Sequence, residues 1–166
     1  MTDEEYMREA LALAHEAALE GEVPVGCVIV AEGQIVGRGR NRREKAKNAL
    51  SHAELEAIDQ ACRSLGGWRL WHCTLYVTLE PCPMCTGAII NARIPRLVYG
   101  ASDLKAGSCG SLVNLFDFPY NSKPQVTSGV LEEEAKEELQ QFFRNLRSNP
   151  MVKTWNKNRS TPDRRK

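Results

Sequence analysis

Two short motifs in this sequence combine residue types that bind metals and move protons. The first is His-Ala-Glu at positions 52–54, and the second is Pro-Cys-Pro-Met-Cys at positions 81–85. A zinc site that performs catalysis uses three protein ligands in a tetrahedral arrangement and leaves its fourth position to water. His52, Cys82 and Cys85 are ligands of the right type and number. They predict one zinc ion per subunit.

The spacing of the two cysteines suits a site at the start of a helix. Cys82 and Cys85 are three residues apart, so on a helix they lie on the same face. At a helix N-terminus the unpaired N–H groups and the helix dipole favour the thiolate over the thiol. Pro83 would then occupy the first helical turn, where its missing N–H costs nothing. His52 also falls at a predicted helix start, so two helix N-termini are expected to face each other across the metal.

The presence of Glu54 indicates that the site catalyses a reaction. Two positions along a helix correspond to a rotation of roughly 200°, so Glu54 is poorly placed as a fourth ligand beside His52. It can instead reach a water in the open position of the metal, and zinc lowers the pKa of such a water to about 7. A carboxylate there can take the proton of the water and return it to a ring nitrogen and then to a leaving amine. The chemistry predicted is hydrolytic deamination of an amidine-like ring carbon.

Other kinds of site share parts of this pattern. A C-x-x-C motif alone also occurs in redox proteins and zinc ribbons, and an H-x-E motif alone is less specific still. A closed structural zinc site would need a fourth ligand, for which His72, Cys73 and Cys109 are candidates. Glu54 would have no role in such a site. The two motifs together, each at a predicted helix start with a strand between them, favour the open, catalytic site.

Helices and short strands alternate along the chain and must position these motifs. Thr2 and Glu5 form a predicted capping box that opens the first helix, and β-branched runs bounded by turn residues predict the strands. Such alternation predicts an α/β fold, a three-layer α/β/α sandwich on a mixed five-stranded sheet. The predicted helices span 2–19, 51–63, 81–93 and 132–147, and the predicted strands span 25–30, 34–38, 74–79, 96–100 and 126–130.

Composition points to one globular domain of 166 residues, with 42% hydrophobic and 26% charged residues. No apolar run approaches the length of a membrane span, and the N-terminus is acidic rather than signal-like, so a cytoplasmic protein without a membrane partner is expected. In that compartment six cysteines do not predict a disulfide framework.

Charge is distributed unevenly between the body of the chain and its end. The net charge is +1, yet the stretch from Lys153 onward carries six basic residues against the single acid Asp163. We therefore expect a deaminase domain at 1–150 and a separate basic, flexible tail at 151–166. A basic tail on a near-neutral body is typical of a protein that binds a polyanion. The same charge is equally compatible with a chain end that is only solvated.

The H-x-E and P-C-x-x-C pair resembles the signature of the cytidine deaminase-like superfamily, whose established chemistry is zinc-dependent base deamination. Within it the chain resembles the bacterial tRNA-specific adenosine deaminases from about Tyr6 to Arg147. This resemblance implies conversion of the wobble adenosine of a tRNA anticodon to inosine, by a homodimer in which both subunits contribute to the RNA site. It rests on the stretches 22–26, 51–54, 74–85 and 107–112, on Asp103 and Lys105, and on Phe142-Phe143-Arg144.

The resemblance also implies roles for individual residues. Glu54 would be the proton shuttle, Asn41 would contact the flipped base, and Val25 would line the base pocket. Contacts to the anticodon nucleotides are implied for Asp103 and Lys105, and the last helix would offer its aromatic and basic residues beside the same groove: Phe142, Phe143 and Arg144.

Two further functions are compatible with the motifs. A deaminase of free guanine, cytosine or a nucleotide would share the zinc site, and the loop at 103–112 and the basic tail favour RNA over it. A catalytically silent zinc module that only binds RNA would not need Glu54, and this residue is present.

Overall fold

A five-stranded mixed sheet forms the middle layer of the computed structural model, which describes residues 1–148. Its strands are β1 (Gly26–Ala31), β2 (Gln34–Arg40), β3 (Cys73–Leu79), β4 (Arg96–Ala101) and β5 (Gln125–Thr127), in the order β2-β1-β3-β4-β5. β1 pairs antiparallel with both β2 and β3, whereas β3, β4 and β5 are parallel.

Helices cover both faces of the sheet. α1 (Asp3–Leu19) and α4 (Glu132–Ser148) contact each other on one face. α2 (Ala53–Leu65) and α3 (Pro83–Asn91) contact each other on the opposite face. The predicted three-layer α/β/α sandwich is therefore confirmed.

Strand β1 is buried along its whole length because each of its faces packs against a helical layer. Cys27 and Ile29 belong to the core that includes α2 and α3, and Val28 and Val30 to the core that includes α1. This alternation is the period of two that a strand imposes on its side chains. A central strand buried on both faces reads in sequence as a continuous apolar run, as this one does.

Two glycines let α2 lie unusually close to β2. A Cβ atom on Gly37 would overlap the carbonyl oxygen of Ala57, and one on Gly39 would overlap that of Ala53. The facing side of α2 is correspondingly built from buried alanines, and it packs along the strand. This close approach sets the position of the start of α2, where the H-x-E motif lies.

The ends of several elements differ from the prediction. α2 begins at Ala53, two residues after the predicted start at Ser51, because His52 is its extended N-cap. α3 ends at Asn91 instead of Arg93, whose φ of 62° is incompatible with a helix. β5 is shorter than predicted, since Gly129 with φ 80° follows it closely. The predicted capping box of Thr2 and Glu5 is confirmed.

The basic tail predicted at 151–166 lies outside the described residues. Within residues 1–148, no helix has the length and apolar character needed to cross a membrane.

Candidate active site

His52, Cys82 and Cys85 are brought together, although the sequence separates the histidine from the cysteines by about thirty residues. Their ligand atoms lie within 4.8 Å of one another, and no other such group of three occurs within residues 1–148. His52 Nδ1 lies 3.7 Å from Cys82 Sγ and 3.6 Å from Cys85 Sγ. Two ligands on one tetrahedral zinc, with bonds of about 2.1 and 2.3 Å, are separated by roughly 3.6 Å. The three side chains therefore fit a zinc ion.

Two of these ligands occupy N-cap positions. His52 precedes α2 and Cys82 precedes α3, both in extended conformation, and neither side chain makes a capping hydrogen bond. Pro83 is in the first turn of α3, where no backbone donor is required. The predicted arrangement of two helix N-termini around the site is thus present. Since they do not cap their own helices, both side chains are available to the metal.

The charge of the group also suits a cation. Hydrogen bonding by the Cys85 thiol, with help from His52, lowers the pKa of Cys82 to about 4. The same contact between the sulfurs raises the pKa of Cys85, and the hydrogen bond with Cys82 raises the pKa of His52. The pocket thus stabilises one thiolate and favours positive charge beside it. Zinc binds cysteine through thiolate sulfur and histidine through a neutral imidazole nitrogen, so the thiolate stabilised at Cys82, beside Cys85 and His52, belongs to a donor set that zinc prefers.

Glu54 lies in the first turn of α2 and is only 4% exposed. Burial raises the pKa of its carboxyl group to about 7. A group with a pKa near neutrality can both accept and donate a proton under working conditions, which is what general acid–base catalysis requires. Glu54 is not one of the three clustered metal-ligand residues.

A cavity of about 200 Å³ opens beside Glu54 and the two N-cap ligands. Its size suits one heterocyclic base, and its walls combine apolar side chains with a few polar groups, as small-molecule sites generally do. The lining residues are Val23, Val25, Asn41, Arg43, His52, Ala53, Glu54, Leu79, Glu80, Cys82, Asp103 and Ala106.

Comparison with known proteins identifies the family. A family model of MafB19-like deaminases matches residues 1–147. A tRNA-specific adenosine deaminase of Bacillus subtilis is 50% identical over 146 residues, which cover 87% of this chain and 91% of that protein. The chain belongs to the family of tRNA-specific adenosine deaminases. It is an enzyme, as the motifs predict.

Solved structures show the same fold. One, from a study of A-to-I editing by tRNA:A34 deaminases at the wobble position of transfer RNA, superposes with a TM-score of 0.79 at 44% identity and covers 81% of this chain and 99% of that one. A guanine deaminase of Bacillus subtilis superposes with a TM-score of 0.61 at 34% identity, covering 87% and 95%. The fold thus serves deaminases that are named for different substrates.

Three predicted substrate contacts of this deaminase line the cavity: Val25, Asn41 and Asp103. The Asn41 amide donates to the carbonyl of Val23 at 3.1 Å, and its oxygen accepts from the Arg43 N–H at 3.1 Å. The Asp103 carboxylate accepts from the backbone N–H of Lys105 at 3.0 Å. Asn41 and Asp103 therefore also shape the loops that carry them.

The other predicted contacts do not line this cavity. Lys105 is exposed on the loop beside it. Phe142 is buried and lines a separate cavity of about 920 Å³ between the C-terminal parts of α1 and α4. Phe143 packs edge-on against Phe142 with ring centroids 5.4 Å apart, and Arg144 pairs with Glu137 at 3.1 Å. Roles in RNA binding for these four residues stay predictions.

The candidates for a fourth metal ligand do not join the group. The Cys109 sulfur lies 3.3 Å from the hydroxyl of Thr86 and is not one of the clustered ligands. His72 and Cys73 lie at the start of β3, whereas the cysteine motif follows its end. Within the described residues the group therefore has three ligands, which is the number that an open site requires.

The structure also places residues at the cavity to which the sequence assigned no role. Val23, Glu80 and Ala106 belong to its lining. Glu22 is 1% exposed and Glu80 is 2% exposed, although acidic residues are rarely buried. Glu22 lies in the matched stretch 22–26 and Glu80 directly precedes the cysteine motif at 81–85, which was the available signal. Their burial depends on distant backbone donors that the sequence does not reveal.

Proposed function

We propose that this chain catalyses the hydrolytic deamination of the wobble adenosine in a tRNA anticodon to inosine, with one zinc ion per subunit held by His52, Cys82 and Cys85. The observation that carries the proposal is a three-ligand group beside a buried carboxylate in a base-sized cavity. The relatives named as tRNA-specific adenosine deaminases support the substrate.

Zinc at this site would supply an activated water for attack on the ring carbon that bears the amine. Glu54 is the proton carrier: its carboxylate takes a proton from the attacking water and delivers it to the adjacent ring nitrogen, and then takes the proton of the new hydroxyl group on the ring carbon and delivers it to the departing amine. The new C–O bond replaces the broken C–N bond, and ammonia leaves. Burial of Glu54 supports this role, because a carboxyl group with a pKa of about 7 exchanges protons readily at neutral pH.

The walls of the cavity would bind and orient the base. Val25 offers apolar contact, and Asn41 and Asp103 contribute polar groups to the lining. A base must leave its stack to enter such a pocket, and the single-stranded loop of an anticodon supplies it at low cost. Arg43 at the wall offers a cation for contact with a phosphate of the RNA.

Other parts of the RNA site come from the family resemblance. We propose that Asp103 and Lys105 contact the anticodon nucleotides, and that Phe142, Phe143 and Arg144 contact the RNA outside the cavity. We also propose a cytoplasmic homodimer. Exposed apolar side chains next to the loop at 103–111 support a protein interface, since such patches commonly mark one: Leu112, Val113 and Phe118.

The substrate is tested by comparing an anticodon stem-loop with free bases. We expect the stem-loop with adenosine at the wobble position to yield inosine, measured by mass spectrometry, and free adenine and guanine to remain unchanged. A stem-loop with guanosine at that position is the control. Turnover of a free base equal to that of the stem-loop would support the second candidate, a free-base deaminase, which the structural similarity to a guanine deaminase favours.

The basic tail should strengthen RNA binding without reading sequence. Its net charge of +5 can neutralise phosphates, and each neutralised phosphate steepens the dependence of log K on log salt by about 0.9 or less. Deleting residues 151–166 is therefore expected to weaken binding most at low salt and to flatten that slope, measured by fluorescence anisotropy. Zinc content and the rate at saturating RNA should not change. Unchanged affinity and slope would show that the tail makes no RNA contact.

A further inference from the structure

Glu80 forms hydrogen bonds to the loop that contributes to one wall of the cavity, here called the 103–111 loop. Its carboxylate accepts hydrogen bonds from the backbone N–H groups of Asp103 at 3.1 Å, Cys109 at 3.0 Å and Ser111 at 3.1 Å. The hydroxyl of Ser111 also donates to it. One buried carboxylate thus satisfies a donor at the start of the loop and donors of two residues at its end. Two residues of this loop, Asp103 and Ala106, line the cavity.

The 103–111 loop is packed tightly against this carboxylate. A Cβ atom on Gly107 would overlap the carboxyl group of Glu80, so only glycine permits the observed approach. The Gly107 N–H also donates to the carbonyl of Asp103 at 2.9 Å, which closes a turn inside the loop. The hydrogen bonds to Glu80 and the close approach of Gly107 therefore fix the position of this loop.

Glu22 forms hydrogen bonds to the backbone of a second loop, here called the 41–50 loop. Its carboxylate accepts from the backbone N–H of Glu44 at 3.0 Å and of Lys45 at 2.8 Å. The start of this loop is joined to the residue before β1 by the N–H of Asn41, which donates to the carbonyl of Val25 at 3.0 Å. Asn41 and Arg43 of this loop line the cavity.

We propose that Glu22 and Glu80 are positioning residues that hold the two loop walls of the cavity in the geometry that receives the base. This inference rests on the proposed function for the identity of the base. The metal ligands lie at the N-termini of α2 and α3 and outside both loops. Loosening the loops should therefore affect binding of the substrate more than the chemical step, because a preorganised site saves the ordering cost on binding.

The variants Glu22→Gln and Glu80→Gln test this directly. Glutamine has nearly the same size, but it replaces one acceptor oxygen with an N–H₂ group that cannot accept a hydrogen bond. We expect faster hydrogen exchange, followed by mass spectrometry, at 41–50 in the first variant and at 103–111 in the second. KM for the stem-loop should rise about tenfold while kcat per bound zinc changes less than about threefold.

Two further variants complete the experiment. Glu32→Gln, in the exposed turn of the β1–β2 hairpin, makes the same chemical change without a buried loop contact and should behave as the wild type. Ser111→Ala removes only the hydroxyl donor to Glu80 and tests the 103–111 loop if Glu80→Gln fails to fold.

The outcomes separate this proposal from the proposed function. Faster exchange confined to the matching loop supports the positioning role even if no stem-loop is deaminated, whereas that failure would overturn the proposed substrate. Unchanged exchange in both loops would overturn the positioning role. So would faster exchange over the whole chain with lost zinc, which would make Glu22 and Glu80 residues of general stability.

Discussion

Glu54→Gln is expected to reduce turnover by about 10²–10⁴-fold, which is the contribution typical of a positioned general acid–base group. Glutamine keeps the size of the side chain but cannot accept or release the transferred proton. The buried position in the first turn of α2 should tolerate this change, because removing a buried charge lowers the cost of burial. Single-turnover deamination of the anticodon stem-loop, with RNA affinity and zinc content measured in parallel, would quantify the effect.

Glu56→Gln is the matched control for this experiment. Glu56 lies two residues further along the same helix and makes a partly exposed ion pair with Arg42 at 3.4 Å. Exposed pairs of this kind contribute about 0–1 kcal/mol, so activity should stay within a few-fold of the wild type. Near-normal turnover of Glu54→Gln, with zinc and RNA bound, would remove Glu54 from the proposed mechanism.

Cys82→Ala and Cys85→Ala are each expected to lose the bound metal and, with it, activity. Either change leaves two ligands of the three. Metal bound at 1,000 times its dissociation constant stabilises the folded state by about 4 kcal/mol, so its loss should lower Tm by roughly 10 °C in a chain of this size. Elemental analysis and thermal unfolding, each with and without a chelator, would measure both effects.

Cys62→Ala makes the same substitution away from the site. Cys62 lies on α2, and its sulfur is 4.0 Å from the carbonyl of Trp68, so this variant should retain zinc. Chelator should lower the Tm of the wild type and of Cys62→Ala, and it should have little further effect on the two ligand variants. Full retention of zinc by both Cys82→Ala and Cys85→Ala would contradict the assignment of the site.

Much of the site could be predicted from the sequence because its parts are local. The pair Cys82 and Cys85 shares a face whenever a helix begins at Pro83, and the proline itself favours that start. For α2 the sequence predicted a helix start near His52 and Glu54, and the structure fixed His52 as the N-cap. The alternation of helices and strands likewise predicts the layers, since each amphipathic element must bury one face against another.

The tertiary structure decided what depends on contacts between distant segments. Glu22 accepts hydrogen bonds from the backbone of Glu44 and Lys45, and Glu80 accepts them from the backbone of Cys109 and Ser111. No periodicity in the sequence predicts either contact. The position of Phe142 was decided in the same way. Because α4 packs against α1, Phe142 lines a cavity that is separate from the three metal-ligand residues. The sequence by itself therefore determined the layers, and it predicted the metal-ligand group and the proposed proton carrier, through spacing along helices and strands. The packed fold alone decided which loops wall the cavity and which residues reach it, because burial and long-range hydrogen bonds exist only once the chain has closed on itself.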